Sequence, residues 1–114
     1  MSRDWQLYLE DMRVCCDKVL DYTRGLELPD FLANAMMYDA VLRNLEILGE
    51  AAKNIPDEIR RQHPHVEWRK IAGLRDVLAH AYFGLEDETL WDIVRNKLPV
   101  LKSQLQQIQG ENSL

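Results

Sequence analysis

Arg75, His80 and Tyr82 stand in the spacing R-x4-H-x-Y within Gly73-Leu74-Arg75-Asp76-Val77-Leu78-Ala79-His80-Ala81-Tyr82-Phe83-Gly84. Arginine carries a permanent charge and matches phosphate with two parallel N–H donors. Histidine moves a proton near neutral pH. Together these are the minimum parts for breaking a phosphodiester without a metal. One group takes the 2′-hydroxyl proton, one protonates the leaving oxygen, and a cation stabilises the phosphorane charge. Residues five apart on an ideal helix point about 140° away from each other, so Arg75 and His80 do not converge by helix geometry alone. Convergence needs the reach of the arginine, a distorted helix end, or a second copy of the segment across a twofold axis. Asp76 and His80, at i and i+4, share a face, as do Arg75 and Tyr82. Asp76 either orients the imidazole or is only a helical neighbour. One histidine per chain faces two proton-transfer roles, which a homodimer pairing two segments would supply. On residue types alone the plainer account is a structural histidine at a helix end, with Tyr82 packed against Phe83.

The charge around this segment is uneven. The 114-residue chain carries a net charge of −5, which argues against nonspecific coating of DNA. Between Arg60 and His80, however, five basic residues (Arg60, Arg61, Arg69, Lys70, Arg75) face two acids (Glu67, Asp76), and all three histidines lie there. A locally basic segment in an acidic protein either focuses an anion site or simply solvates a helix surface. Glu46 and Glu50 share a helix face. With Lys53 they either form an intrahelical charge pattern or support the arginine. His63-x-His65 lacks a nearby thiol or third ligand, so no metal is expected. Trp5, Trp68 and Trp91 read as packing rather than base-stacking platforms, and Met36-Met37 as core filler. The adjacent Cys15 and Cys16 read as buried, reduced thiols.

These residues must be positioned by helices. Apolar residues make up 46% and charged residues 29%, with only 5 Gly and 4 Pro. That balance is globular and disfavours a multi-stranded β fold. The length fits one domain over residues 1–114 that folds without disulfides or metal. Trp5, Leu9, Met12, Cys16, Val19 and Leu20 recur at three-to-four spacing and predict a helix over 3–24, with Ser2 as cap and Gly25 as stop. Leu28-Pro29-Asp30-Phe31 opens a turn or short helical piece. Met37, Ala40, Val41, Leu45, Leu48 and Ala52 stripe a second long helix over 35–54. Tyr38, Leu42 and Ile47 widen that stripe toward burial on more than one side, or toward an interface. Gly49 lies mid-helix at a cost of about 1 kcal/mol, a cost that close approach of another backbone would offset. Pro56 ends this helix and can start a short one. His63-Pro64-His65 is a loop, and a further helix runs from 67 to about 80. The last starts near Asp87 and is kinked or split by Pro99; residues 110–114 form a frayed tail. The expected architecture is an all-α antiparallel bundle of four to five helices. No apolar run approaches the ~18 residues of a membrane span, and the charged start suits no signal peptide. A cytoplasmic protein without membrane contact is expected.

The segment 73–84 resembles the signature of the HEPN superfamily, specifically its HepT-like ribonuclease toxins. The likeness extends to Arg43-Asn44-Leu45-Glu46-Ile47-Leu48-Gly49-Glu50-Ala51-Ala52-Lys53 and Trp68-Arg69-Lys70-Ile71-Ala72-Gly73-Leu74-Arg75-Asp76. Tyr82-Phe83-Gly84, Trp91 and the Leu98-Pro99 step continue it across nearly the whole chain. The resemblance implies a HEPN-like bundle that forms a homodimer, with the motif lining a cleft between subunits. It implies a cofactor-free, metal-independent endoribonuclease toxin acting on tRNA or mRNA and leaving 2′,3′-cyclic phosphate and 5′-hydroxyl ends. Arg75 and His80 take the catalytic places, Asp76 fits the supporting polar place, and Tyr82 takes the modified place. The implied partner is an MntA-type nucleotidyltransferase antitoxin, which transfers AMP to that tyrosine. The alternative is a noncatalytic subunit that presents nucleotide or substrate to a nucleotidyltransferase.

Overall fold

Leu9, Met12, Cys16 and Val19 recur every three or four residues, and helix α1 (Trp5–Tyr22) turns all four into the core. In the computed structural model, which describes residues 4–79 and 86–112, α1 is capped by Asp4 rather than Ser2. The Asp4 carboxylate accepts from the Gln6 N–H at 3.2 Å, which satisfies one of the donors orphaned at a helix start. Helix α1 stops at Tyr22 with Thr23 as its C-cap, and Gly25, the expected stop, lies in the turn beyond at φ +74°, a left-handed conformation that side chains with a Cβ rarely adopt. Short helix α2 (Leu28–Ala33) follows, with Pro29 in its first turn and Phe31 buried. Asn34 then caps α3 (Ala35–Lys53) by accepting from the Met37 N–H at 3.0 Å.

Helix α3 is the centre of the bundle. It packs against α1 on one side and α5 (Trp68–Ala79) on the other. Val41, Leu45, Leu48 and Ala52 are buried as the apolar stripe predicts. One expectation fails on its outer side. Met36 is 85% exposed, so it is not core filler. Tyr38 and Leu42 pack partly buried against the core and widen the stripe as expected, while Ile47 stays 36% exposed. Met36 and Ile47 lie on the face of α3 turned away from Val41, Leu45 and Leu48. Pro56 initiates α4 (Asp57–Gln62). Arg60 on α4 donates to the carbonyls of Ala52 at 2.7 Å and Ile55 at 3.0 Å, closing the C-terminal end of α3.

The final rod joins α6 (Asp87–Asp92), a π-helical turn over Ile93–Lys97, and α7 (Leu98–Glu111) without interruption. Pro99 has no N–H to offer the carbonyl four residues back, and its ring crowds it. The widened turn just before it absorbs that conflict, so the predicted break is a π-bulge within one rod. Rod α6–α7 closes on α1. With α1, α3, α5 and this rod as the long members, the all-α bundle expected from periodicity is present, and α2 and α4 are short additions. No strand occurs among the described residues, and no helix there is long and apolar enough to cross a membrane.

The tryptophans pack. Trp68 is buried and its indole N–H donates to the His63 carbonyl at 2.9 Å. Trp91 stacks on Phe31 with centroids 5.1 Å apart. Cys15 and Cys16 are free and buried. Burial pushes the thiol of Cys15 up to about 11 and that of Cys16 up to about 12. A thiolate is the reactive species, so neither cysteine should be alkylated by iodoacetamide at pH 8 in the native protein. Both should react once urea unfolds it, as counted by intact mass. Rapid native alkylation of either would contradict the burial described.

Candidate active site

Gly49 lies where α3 meets α5. A Cβ at this position would sit 2.7 Å from the backbone nitrogen of Arg75 and 2.9 Å from the carbonyl oxygen of Ile71. No Cβ tolerates such approaches to backbone, so only glycine lets the two helices touch here. The close approach expected from a mid-helix glycine is therefore real, and its partner is the backbone of Arg75.

The next residue uses that proximity. The Glu50 carboxylate meets Arg75 Nε at 2.7 Å. Both side chains are about half exposed, so solvent screens the pair and it contributes little to stability. Its consequence is orientation. Holding the guanidinium through Nε leaves its terminal nitrogens available for a phosphate. Asp76 lies 3.8 Å from the Arg75 guanidinium and 4.0 Å from Lys53 Nζ. Lys53 thus reaches across to α5 rather than completing a charge pattern with Glu46 and Glu50. Of the two sequence readings of the glutamates, Glu50 follows the one that supports the arginine. Glu46 pairs along its own helix, 3.6 Å from Arg43.

A cleft of about 350 Å³ opens beside this contact. Tyr8 and Asp11 of α1 wall one side, Arg43, Glu46, Ile47 and Glu50 of α3 line its length, and Arg75 of α5 closes it. The α1 contribution escapes sequence reasoning, because Tyr8 and Asp11 flank an ordinary amphipathic stripe and belong to no motif. Arg43 lies within the α3 motif, but nothing in its type marks it as a lining residue.

The basic segment 60–80 does not form one patch. Arg60 caps α3, and Lys70 pairs with Glu67 one turn away at 2.8 Å. His63 is buried, with its Nε2 3.9 Å from Glu111, and its ring meets His65 edge-on at 6.0 Å. Only Arg75 of the five basic residues lines the cleft. His80 and Tyr82 lie outside the described residues, and α5 ends at Ala79 directly before them in sequence.

Comparison with known proteins adds a second line of support. A family model described as ribonuclease HepT-like matches residues 12–108. A protein named as a probable ribonuclease HepT from Thermococcus cleftensis is 41% identical over 108 residues, covering 95% of this chain and 98% of the relative. A candidate RNase of Methanocaldococcus jannaschii is 36% identical over 119 residues, covering 99% and 98% respectively. A candidate RNase of Caldanaerobacter subterraneus subsp. tengcongensis is 38% identical over 101 residues, covering 89% and 90%. No solved structure matches the chain.

Proposed function

Since the chain belongs to the HepT-like ribonuclease family, we propose that it is the toxin of a toxin–antitoxin pair, a metal-independent endoribonuclease that works as a homodimer. The observation that carries this reading is the Arg75 side chain, held by Glu50 at the point where Gly49 brings α3 against α5. A guanidinium fixed at Nε at a cleft edge suits the nonbridging oxygens of a scissile phosphate. His80 transfers the proton, as base for the 2′-hydroxyl or acid for the leaving 5′-oxygen, and its twofold mate takes the other role. The 2′-oxygen attacks phosphorus, the P–O5′ bond breaks, and the products carry 2′,3′-cyclic phosphate and 5′-hydroxyl ends. Asp76 supports the imidazole or the arginine.

In this reading Tyr82 is the regulatory handle. An MntA-type nucleotidyltransferase moves AMP from ATP to the phenol oxygen with loss of pyrophosphate. The adduct adds bulk and about one negative charge beside Arg75, where it competes with RNA phosphate. The purified chain alone should cleave RNA. Co-expression with its neighbouring nucleotidyltransferase should add one or more increments of about 329 Da, the mass of an AMP residue, to the Tyr82 peptide and silence cleavage. Tyr82→Phe should lose the increment and stay active in the presence of the partner. Full inhibition without ATP and without a mass change would contradict the modification mechanism.

A further inference from the structure

Lys53 is a second cation at the seam between α3 and α5, and the helix end on which it stands does not use it. It falls in the last turn of α3, where a basic side chain ordinarily complements the exposed carbonyls. Those carbonyls already have partners. Asn54 donates through its side chain to Glu50 and through its backbone N–H to Ala51 and Ala52. Arg60 donates to Ala52 and Ile55. Lys53 turns instead toward α5, where its Nζ stops 4.0 Å from Asp76 Oδ1. The same oxygen lies 3.8 Å from Arg75 Nη1. Neither distance is that of a made hydrogen bond, so both cations keep donors to give. We propose that Lys53 is a phosphate-binding residue for RNA, taking the phosphate next to the one held by Arg75. The inference deepens the nuclease reading above, on which it rests, by adding a substrate contact outside the R-x4-H-x-Y motif.

Two cations that approach one carboxylate oxygen stand no farther apart than those two distances laid end to end. A single nucleotide step of an RNA backbone spans such a separation, so a strand laid along the seam meets both charges with successive phosphates. The two suit different tasks. The Arg75 guanidinium, fixed at Nε by Glu50 at 2.7 Å, presents a planar fork in one orientation, as the scissile phosphate requires. The Lys53 ammonium is a compact point charge with three donors on a flexible stem, which suits a neighbouring phosphate that needs holding but no exact alignment. Asp76 lies between them and offsets their mutual repulsion in the free protein. It also competes with phosphate for both. Other lysines are committed elsewhere. Lys102 meets Asp17 at 2.9 Å, and Lys70 meets Glu67 at 2.8 Å while lining the groove between α5 and the α6–α7 rod. In a chain of net charge −5 the overall field does not hold RNA, so local cations must do so.

Binding of a short single-stranded RNA that carries 2′-O-methyl groups throughout, and so has no 2′-hydroxyl to attack, tests the contact apart from cleavage. The Lys53 side chain is 41% exposed, so its replacement leaves the core untouched. In fluorescence anisotropy with EDTA over about 50–200 mM salt, Lys53→Ala should weaken binding about three- to ten-fold and lower the slope of log Kd against log salt by about 0.7, the share of one phosphate contact on a single strand. Lys53→Arg should restore both. Lys70→Ala removes the same charge from the other side of α5 and should move neither. Asp76→Asn separates a phosphate contact from a merely structural one. If Lys53 acted only by holding Asp76, this variant would weaken binding as Lys53→Ala does. A phosphate contact instead gives binding as tight as wild type or tighter, because the acceptor that competes for both cations has lost its charge. Equal slopes for wild type and Lys53→Ala, or an equal loss in Lys70→Ala or in Asp76→Asn, would overturn the proposal and leave the nuclease reading standing. A wild-type chain that binds no RNA across this range would overturn both. One that binds through Lys53 as described, yet leaves an unmodified RNA of the same sequence uncut, would refute the nuclease reading alone.

Discussion

Arg75→Ala should lower RNA cleavage by about 10²–10³-fold, the usual loss when a preorganised donor to developing transition-state charge is removed. The fold should survive. Arg75 is about half exposed, and its ion pair with Glu50 is screened, so the stability change should stay within about 1 kcal/mol. Arg75→Lys keeps the charge but loses both the planar fork and the Nε contact at 2.7 Å, so it should rescue no more than about a tenth of the activity. Glu50→Gln keeps a hydrogen-bond acceptor for Nε. It should cost far less than Arg75→Ala, with the loss appearing in the catalytic constant rather than in the Michaelis constant. Unchanged cleavage by folded Arg75→Ala, assayed beside wild type on one labelled RNA, would remove this residue from the chemistry. His80→Ala should fall as far as Arg75→Ala, since the sequence offers no second histidine within the motif.

The second large effect is on Gly49. Alanine is a better helix former by about 1 kcal/mol, so Gly→Ala inside a helix ordinarily stabilises. At Gly49 the added methyl would stand 2.7 Å from one backbone atom of α5 and 2.9 Å from another. Neither belongs to a flexible side chain that can swing away. The helices must separate, and overpacking of this kind costs about 1–3 kcal/mol or more. A net loss of about 1–2 kcal/mol should lower Tm by roughly 5–10 °C for a chain of this length. Activity should fall as well, even at temperatures where the variant is folded, because separation of α3 from α5 lengthens the Glu50–Arg75 contact. Gly73→Ala is the matched control. It lies within α5, and a Cβ there meets nothing within 4 Å, so the same substitution should raise Tm. Thermal melts of the two variants side by side decide the point. A Gly49→Ala protein as stable as Gly73→Ala would contradict the backbone contact between α3 and α5.

The helices were readable because burial imposes a period. Val41, Leu45, Leu48 and Ala52 could serve one core only on one face of one helix, and that face is buried. Gly49 was readable as a point of close approach for the same reason, since an unforced glycine there would cost stability. Its partner was not readable, because periodicity says which face is inward and not which neighbour it meets. The same limit left the Glu50–Arg75 pair as one of two readings of the glutamates, because it joins residues 25 positions apart on different helices. Met36 misled through its type. A methionine in the first turn of a helix is apolar enough to suggest core, but its phase on α3 carries it outward. The dispersal of the basic segment was equally hidden. Arg60 is bound by carbonyls at the end of α3, and backbone acceptors leave no mark in a sequence.

The claim that Arg75 and the neighbouring motif cleave RNA by attack of the 2′-hydroxyl is tested most directly by the ends of the products. Purified wild-type chain, incubated with a 5′-labelled RNA in excess EDTA, should cut it. The fragments should end in 2′,3′-cyclic phosphate and begin with 5′-hydroxyl, as read by their mass and by their resistance or susceptibility to end-specific enzymes. An RNA bearing 2′-O-methyl at the cleaved position should be left intact. Cleavage that stops in EDTA and returns with Mg²⁺, or that yields 5′-phosphate and 3′-hydroxyl ends, would contradict it.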